Sequence, residues 1–269
     1  DAKYAMSVAF IAGKQHALKM RNDAFQTDKP QLAAAWTAQI ITLFPDAFPG
    51  LLGESLTGKA LKDGVWQLQT TDLRRFGVGK HRNVDDTPAG GGPGMVLKPD
   101  IAAAAIDSVA LKGRPLLYLT PRGAPLTQDR VRELATGSGV VVFCGRFEGL
   151  DQRVIEARAM EEVSIGDFIL AGGEVAAQAM IEACVRLLPG VLGSGASAEE
   201  ESFENGLLEY PLYTRPREWE GRSIPDVLLS GDHKKIKDWQ EQEQIKITKA
   251  RRPDLYDAWR AKGDDHERD

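Results

Sequence analysis

An α/β fold with a mainly parallel sheet is the class this sequence predicts, and three observations predict it. Short apolar runs of strand length alternate with helical patterns between residues 40 and 188. Three of these segments end in polar or glycine-rich turns, where open α/β sheets hold their ligands. A stretch dominated by Gly, Ser, Ala and Glu, residues 190–204, then precedes a smaller helix-biased segment.

The elements follow in order. Residues 1–37 read as an N-terminal extension, with helix-friendly Lys14–Met20 and Gln31–Trp36 broken at Asp28-Lys29-Pro30. Ile40–Phe44 is a short apolar run stopped by Pro45, which suits a buried strand. Leu56–Leu61 reads as helix and Val65–Gln69 alternates as a strand; residues 71–95 are turn-rich. Then come helix Pro99–Leu111, strand Leu116–Leu119, helix Gln128–Ala135, strand Val140–Cys144, helix Asp151–Met160 and a long helix Glu174–Leu188. The tail Gly263–Asp269 reads as frayed.

Composition narrows the function classes. At 269 residues, 42% hydrophobic and 27% charged, the chain is globular with one or two domains, which excludes disorder, collagen and coiled coil as whole-chain readings. Two cysteines, Cys144 and Cys184, make neither a disulfide scaffold nor a thiolate zinc site, and fit a reducing, cytoplasmic compartment. A net charge of −5 argues against a generic nucleic-acid coat but leaves room for a local basic surface. No apolar run reaches the roughly 18 residues of a membrane span. Tyr4–Gly13, the nearest approach, reads as one or two helical turns rather than a secretory segment.

Candidate chemistry divides unevenly. Gly53–Lys59 fits G-x-x-x-x-G-K, but Ala60 stands where a magnesium-binding hydroxyl belongs, so a glycine-capped turn entering a helix is the better reading. The loop Asp85–Gly94 carries Gly90-Gly91-Gly92 between prolines and suits close backbone approach to a ligand. The turns Leu119–Gly123, Cys144–Gly149 and Ile165–Glu174 together offer backbone groups to a flat ring at one site. His81, between Lys80 and Arg82, is a base or a phosphate contact; no histidine has the i, i+4 partner of a metal site. Glu199, Glu200 and Glu201 read on pattern alone as a solvated run. Basic clusters at 215–222, 234–237 and 249–252, interleaved with Tyr213, Trp219, Trp239, Tyr256 and Trp259, suit RNA binding. A P-loop hydrolase and a non-catalytic RNA-binding protein are the competing classes.

The motifs Cys144–Gly149, Ser164–Glu174, Leu187–Gly193, Gly206–Pro216, Asp85–Met95 and Leu228–His233 stand in an order and spacing that resembles the bacterial tRNA (guanine-N1)-methyltransferases of the TrmD type, over about residues 38–260. This resemblance implies a SPOUT-type parallel sheet with a deep trefoil knot at 38–192, a flexible linker at 193–204 and a small helical tRNA-binding domain at 205–269. It implies an antiparallel homodimer with its sites at the interface. The reaction implied is transfer of methyl from S-adenosylmethionine to N1 of the guanosine at tRNA position 37, with magnesium as a family property and no metal-ligand cluster visible. Donor binding falls by motif position on Tyr118, Leu119, Thr120, Gly145, Glu148, Ile165, Leu170, Gly172 and Gly173. Substrate contacts are expected at His81, Asp85 and Arg215. Arg186 matches the family's catalytic arginine, and Glu201 stands at its catalytic aspartate. Glu for Asp lengthens the arm by one methylene, so Glu200 and Glu199 remain alternatives for the base. Phe147, Ala89 and Ala176 replace frequent Tyr, Tyr and Pro.

Overall fold

Strands buried on both faces are apolar at every position, and the run Gly139–Cys144 is buried throughout. The structure, a computed structural model, describes residues 35–192 and 201–266. The Tyr4–Gly13 run, most of the N-terminal extension and linker residues 193–200 lie outside the described residues.

In chain order the first part contains β1 Trp36–Thr42, α1 Ser55–Lys62, β2 Trp66–Asp72, β3 Asp85–Asp86, β4 Val96–Leu97 and α2 Pro99–Asp107. It continues with β5 Leu116–Pro125, α3 Gln128–Thr136, β6 Gly139–Cys144, α4 Gln152–Ala157, β7 Glu161–Ser164 and α5 Glu174–Val185. Five strands form one sheet in the order β2-β1-β6-β5-β7, every pair parallel. The predicted α/β class with a parallel sheet is therefore the observed one.

Alternation along β6 divides the core. Val140, Val142 and Cys144 face a cluster completed by Trp66, Val131, Met180 and Ile181, so α1, α3 and α5 cover that face. Val141 and Phe143 face the opposite cluster, with Ile101 and Ala105 of α2 and Val154 and Ile155 of α4. Helices on both faces make a three-layer sandwich.

Three sequence expectations are corrected and one is borne out. β1 starts at Trp36, where the pattern predicts the end of a helical arm; its indole donates to the Leu134 carbonyl at 2.9 Å and meets Trp66 edge-on at 6.5 Å. β7 was not expected, because Glu161-Glu162 hides its period. It is an edge strand, and those carboxylates face Arg130 and Arg122 at its margin. The near-Walker segment enters a helix, as its sequence predicts: Gly58 and Lys59 lie inside α1, Ala60 packs in the core, and a Cβ at Gly58 would stand 2.0 Å from the Gly53 carbonyl oxygen. Helix packing thus explains that glycine, and the P-loop reading is dropped. Finally, the last helix continues through the first four residues of the tail expected to fray, Gly263 to His266.

The C-terminal part holds a hairpin of β8 Glu218–Trp219 and β9 Arg222–Ser223, then α6 His233–Arg251 and α7 Pro253–His266. Asp232 caps α6, its carboxylate accepting from the Lys235 amide at 3.2 Å. Buried Thr248 accepts from the Leu208 amide at 2.8 Å and donates to the Gln244 carbonyl at 2.7 Å, tying the extended segment 205–210 to α6.

Candidate active site

The three predicted turns do meet. At the carboxyl ends of β5, β6 and β7 they enclose a cavity of about 250 Å³, and all nine expected donor residues, from Tyr118 to Gly173, line it. The way β5 pairs makes room for this. Leu119 and Ala124 both register with Val163, a bulge in β5 that puts Thr120 and Pro121 on the cavity lining while Gly123 lies close against the β7 backbone.

Glycines keep the walls close. The Gly173 amide donates to the Gly145 carbonyl at 2.9 Å, and a Cβ on Gly173 would come 2.9 Å from the Cys144 Cα. A Cβ on Gly145 would meet the Tyr118 ring at 2.8 Å, and one on Gly172 would meet Arg146 Nε at 2.2 Å. Phe147, at φ 60°, holds the left-handed conformation inside the second turn. Buried Tyr118 accepts from the Leu150 amide at 3.2 Å and packs edge-on against Phe143 at 6.2 Å. Its burial pushes the phenol pKa up.

A charged cluster that sequence reasoning missed lies behind this wall. Glu174 is buried at the start of α5, accepting from the Thr42 hydroxyl at 2.7 Å and pairing with Arg146 at 2.9 Å. The Arg146 guanidinium lies 4.3 Å above the Phe44 ring and donates to the Ala171 carbonyl at 3.1 Å. Arg146 and Glu174 stood inside the quoted motifs, but only the fold shows that they touch. Cys144 beside them is fully enclosed, and burial pushes its thiol well above the ordinary range.

Of the expected substrate residues, Asp85 pairs with Leu97 across β3 and β4. The Leu97 amide donates to the Gly149 carbonyl at 2.9 Å, which ties that ribbon to the second turn. His81 and Arg215 are exposed, and neither lines the cavity.

Arg186 and Glu201 form a bidentate pair, Nη1 to Oε2 at 2.7 Å and Nη2 to Oε1 at 2.5 Å, with about a third of each side chain exposed. Hydrogen bonds from Arg186 hold the Glu201 carboxyl below the ordinary glutamate range, and Glu201 in turn raises Arg186. Two further contacts anchor this stretch: Glu204 pairs with Arg132 at 2.7 Å, and the Ser202 hydroxyl accepts from the Glu209 amide at 2.9 Å. Glu199 and Glu200 lie outside the described residues. Neither member of the Arg186–Glu201 pair lines the cavity. Arg186 follows the 12-residue α5, so it stands about 18 Å from the Gly172-Gly173 turn at the other end of that helix.

This arrangement offers a backbone-rich cradle of mixed polarity and, separately, a carboxylate paired with a guanidinium. Among the described residues no group of three or more His, Cys, Asp or Glu is placed to hold a metal.

A family model described as tRNA (Guanine-1)-methyltransferase TrmD matches residues 37–258. A tRNA (guanine-N(1)-)-methyltransferase of Ruegeria pomeroyi is 61% identical over 243 residues, 89% of this chain and 100% of that relative. Proteins with the same name from Rhodopseudomonas palustris and Brucella suis are 62% and 58% identical, over 83% and 87% of this chain and 90% and 96% of their own lengths.

Proposed function

The chain belongs to the tRNA (guanine-1)-methyltransferase TrmD family and is a methyltransferase acting on N1 of guanine in tRNA; we propose that its donor is S-adenosylmethionine and its target the guanosine at position 37, next to the anticodon. The observation that carries the donor assignment is the convergence of the three turns on one cavity. Leu119, Ile165 and Leu170 supply apolar surface for a purine ring, and a Cβ at Gly145, Gly172 or Gly173 would close the walls that these glycines hold in contact. We read the nine lining residues as the donor site on this basis. The bound donor supplies an electrophilic methyl group on sulfur.

The chain's own residues prepare the nucleophile. Guanine N1 carries a proton and attacks poorly until that proton leaves. Glu201 takes it, being kept ionised by Arg186. Loss of the proton puts negative charge on guanine O6, which the Arg186 guanidinium stabilises. The closed pair of the free chain must therefore open: O6 replaces one carboxylate oxygen on Arg186, and Glu201 turns to N1. Asp85, on the ribbon bonded to the second turn, is assigned to the substrate side. His81 and Arg215 are assigned to exposed tRNA contacts.

The separation of about 18 Å between Arg186 and the glycine turn favours a site shared by two copies. An antiparallel homodimer brings one copy's Arg186–Glu201 pair to the other's cavity. Exposed Leu51, at 80%, and Val175, at 63%, offer an apolar face for it beside α5. We assign residues 38–192 to the knotted domain, within which the Gly173 amide bonds to the Gly145 carbonyl. Residues 193–204 are assigned as linker and 205–269 as the tRNA-binding domain of a cytoplasmic enzyme. No helix among the described residues is long and apolar enough to cross a membrane.

The test is methyl transfer from labelled donor to a tRNA with guanosine at positions 36 and 37, beside the same tRNA with adenosine at 37. Label in the first tRNA alone is expected; equal label in both would overturn the position assignment.

A further inference from the structure

A buried guanidinium without a counter-charge is an uncommon feature, because desolvation of a cation is costly unless an anion accompanies it. Partly buried Arg130, Arg132, Arg146 and Arg186 each pair with a carboxylate, on Glu161, Glu204, Glu174 and Glu201 respectively. Arg114, at 8% exposure the one arginine classed as buried among the described residues, pairs with none. Its Nε and Nη2 donate to the Leu111 and Ala110 carbonyls at 3.0 and 2.6 Å. That uses two of the five N–H groups a guanidinium carries. Burial lowers its pKa, and no charged neighbour offsets this.

Arg114 borders a notch of about 300 Å³ between the edge strand β2 and the connection from α2 to β5. The notch shares no lining residue with the donor cavity. Its lining is polar and cationic: Gln69, Thr70, Thr71, Ser108 and Lys112 accompany Arg114, and no acid contributes. The neighbouring acids in sequence are engaged elsewhere, Asp72 with the Arg74 amide and Asp107 with Arg158. The Thr71 hydroxyl accepts from Gln39 Nε2 at 3.0 Å, which leaves its own proton to donate. Hydroxyl, amide and ammonium donors around a guanidinium that no carboxylate neutralises describe an anion site.

We propose that this notch binds a phosphate group, held by Arg114 with Thr71 and Lys112. The phosphate comes either from the tRNA backbone or from a free phosphate-bearing small molecule; the chemistry is the same.

The experiment titrates inorganic phosphate into the full chain by calorimetry at constant ionic strength, with Arg114→Gln, Thr71→Val and Lys112→Ala in parallel. Circular dichroism and donor binding check that each variant is folded. Saturable binding to the unaltered chain is expected, weakened about tenfold by Arg114→Gln and by a smaller factor in the other two. Should Arg114→Gln fail to fold, Thr71→Val and Lys112→Ala decide alone. Filter binding of tRNA across a salt series then separates the sources. If the variants also weaken tRNA and lower the salt slope by about one, the phosphate is the backbone's; if tRNA binding is unchanged, it belongs to a small molecule. No saturable phosphate binding to the unaltered chain, or equal binding by all folded variants, overturns the proposal.

Discussion

Glu201 and Arg186 hold each other in the free chain, and that pairing makes their substitution informative. Glu201→Gln keeps the side chain's shape but removes the base, so kcat is expected to fall about 10²–10⁴-fold with donor affinity unchanged, measured by single-turnover methyl transfer and calorimetry. Unchanged kcat would move the role to Glu200 or Glu199. The pair also links stability to pH. Glu201 has its carboxyl pKa lowered in the folded chain, so its contribution is complete above the ordinary glutamate value and is lost as pH falls through the folded one. Melting temperature against pH should therefore drop less steeply on the acid side for Glu201→Gln than for the unaltered chain. Glu174 behaves differently because it is buried. Glu174→Ala strands Arg146 beside the cavity and is expected to cost on the order of 2 kcal/mol, read from urea unfolding, with weaker donor binding. Loss of stability alone would separate Glu174 from the cavity. Of these residues, motif position pointed to Glu201 and Arg186, whereas the partnership of Thr42 with Glu174, 132 residues apart, left no local trace.

Elements were legible where burial is two-sided or strongly periodic. β6 and α5 lie close to where their patterns place them, because a central strand and a core helix have little freedom in composition. β7 was hidden because an edge strand satisfies its outer surface with charge, here two consecutive glutamates. The start of β1 is ambiguous in the sequence because tryptophan fits a helix and a strand alike; in the fold its indole bonds to Leu134. The α5 N-terminus must lie flat on the β6 turn, and Gly173 makes that contact possible. Gly173→Ala puts a methyl 2.9 Å from backbone that has no rotamer to escape into. Donor affinity should fall at least tenfold and stability by about 1–3 kcal/mol, measured by calorimetry and thermal melting. Undiminished donor binding would show that the turn yields, and that its closeness does not shape the cavity.

On the scale of the whole molecule, the question is which copy of the chain completes which site. If the pair of one copy serves the cavity of the other, a variant without the base and a variant with a weakened cavity, assayed at a donor concentration too low to fill that cavity, complement each other. Mixing Glu201→Gln with Gly173→Ala under conditions that exchange subunits should restore roughly a quarter of the sites, since half of the dimers are mixed and each has one intact pairing. No recovery after verified exchange would place both halves of a site in one chain. The sequence by itself determined the α/β class, the parallel sheet and the family, because these rest on hydrophobic periodicity and on contiguous motifs. The tertiary structure alone decided which turns share a cavity, that Gly58 lies against the Gly53 carbonyl, and that Arg114 is buried without an anion. The physical reason is range: periodicity is written between neighbours in the chain, whereas desolvation and close contact depend on residues a hundred positions apart that only the packed sheet brings together.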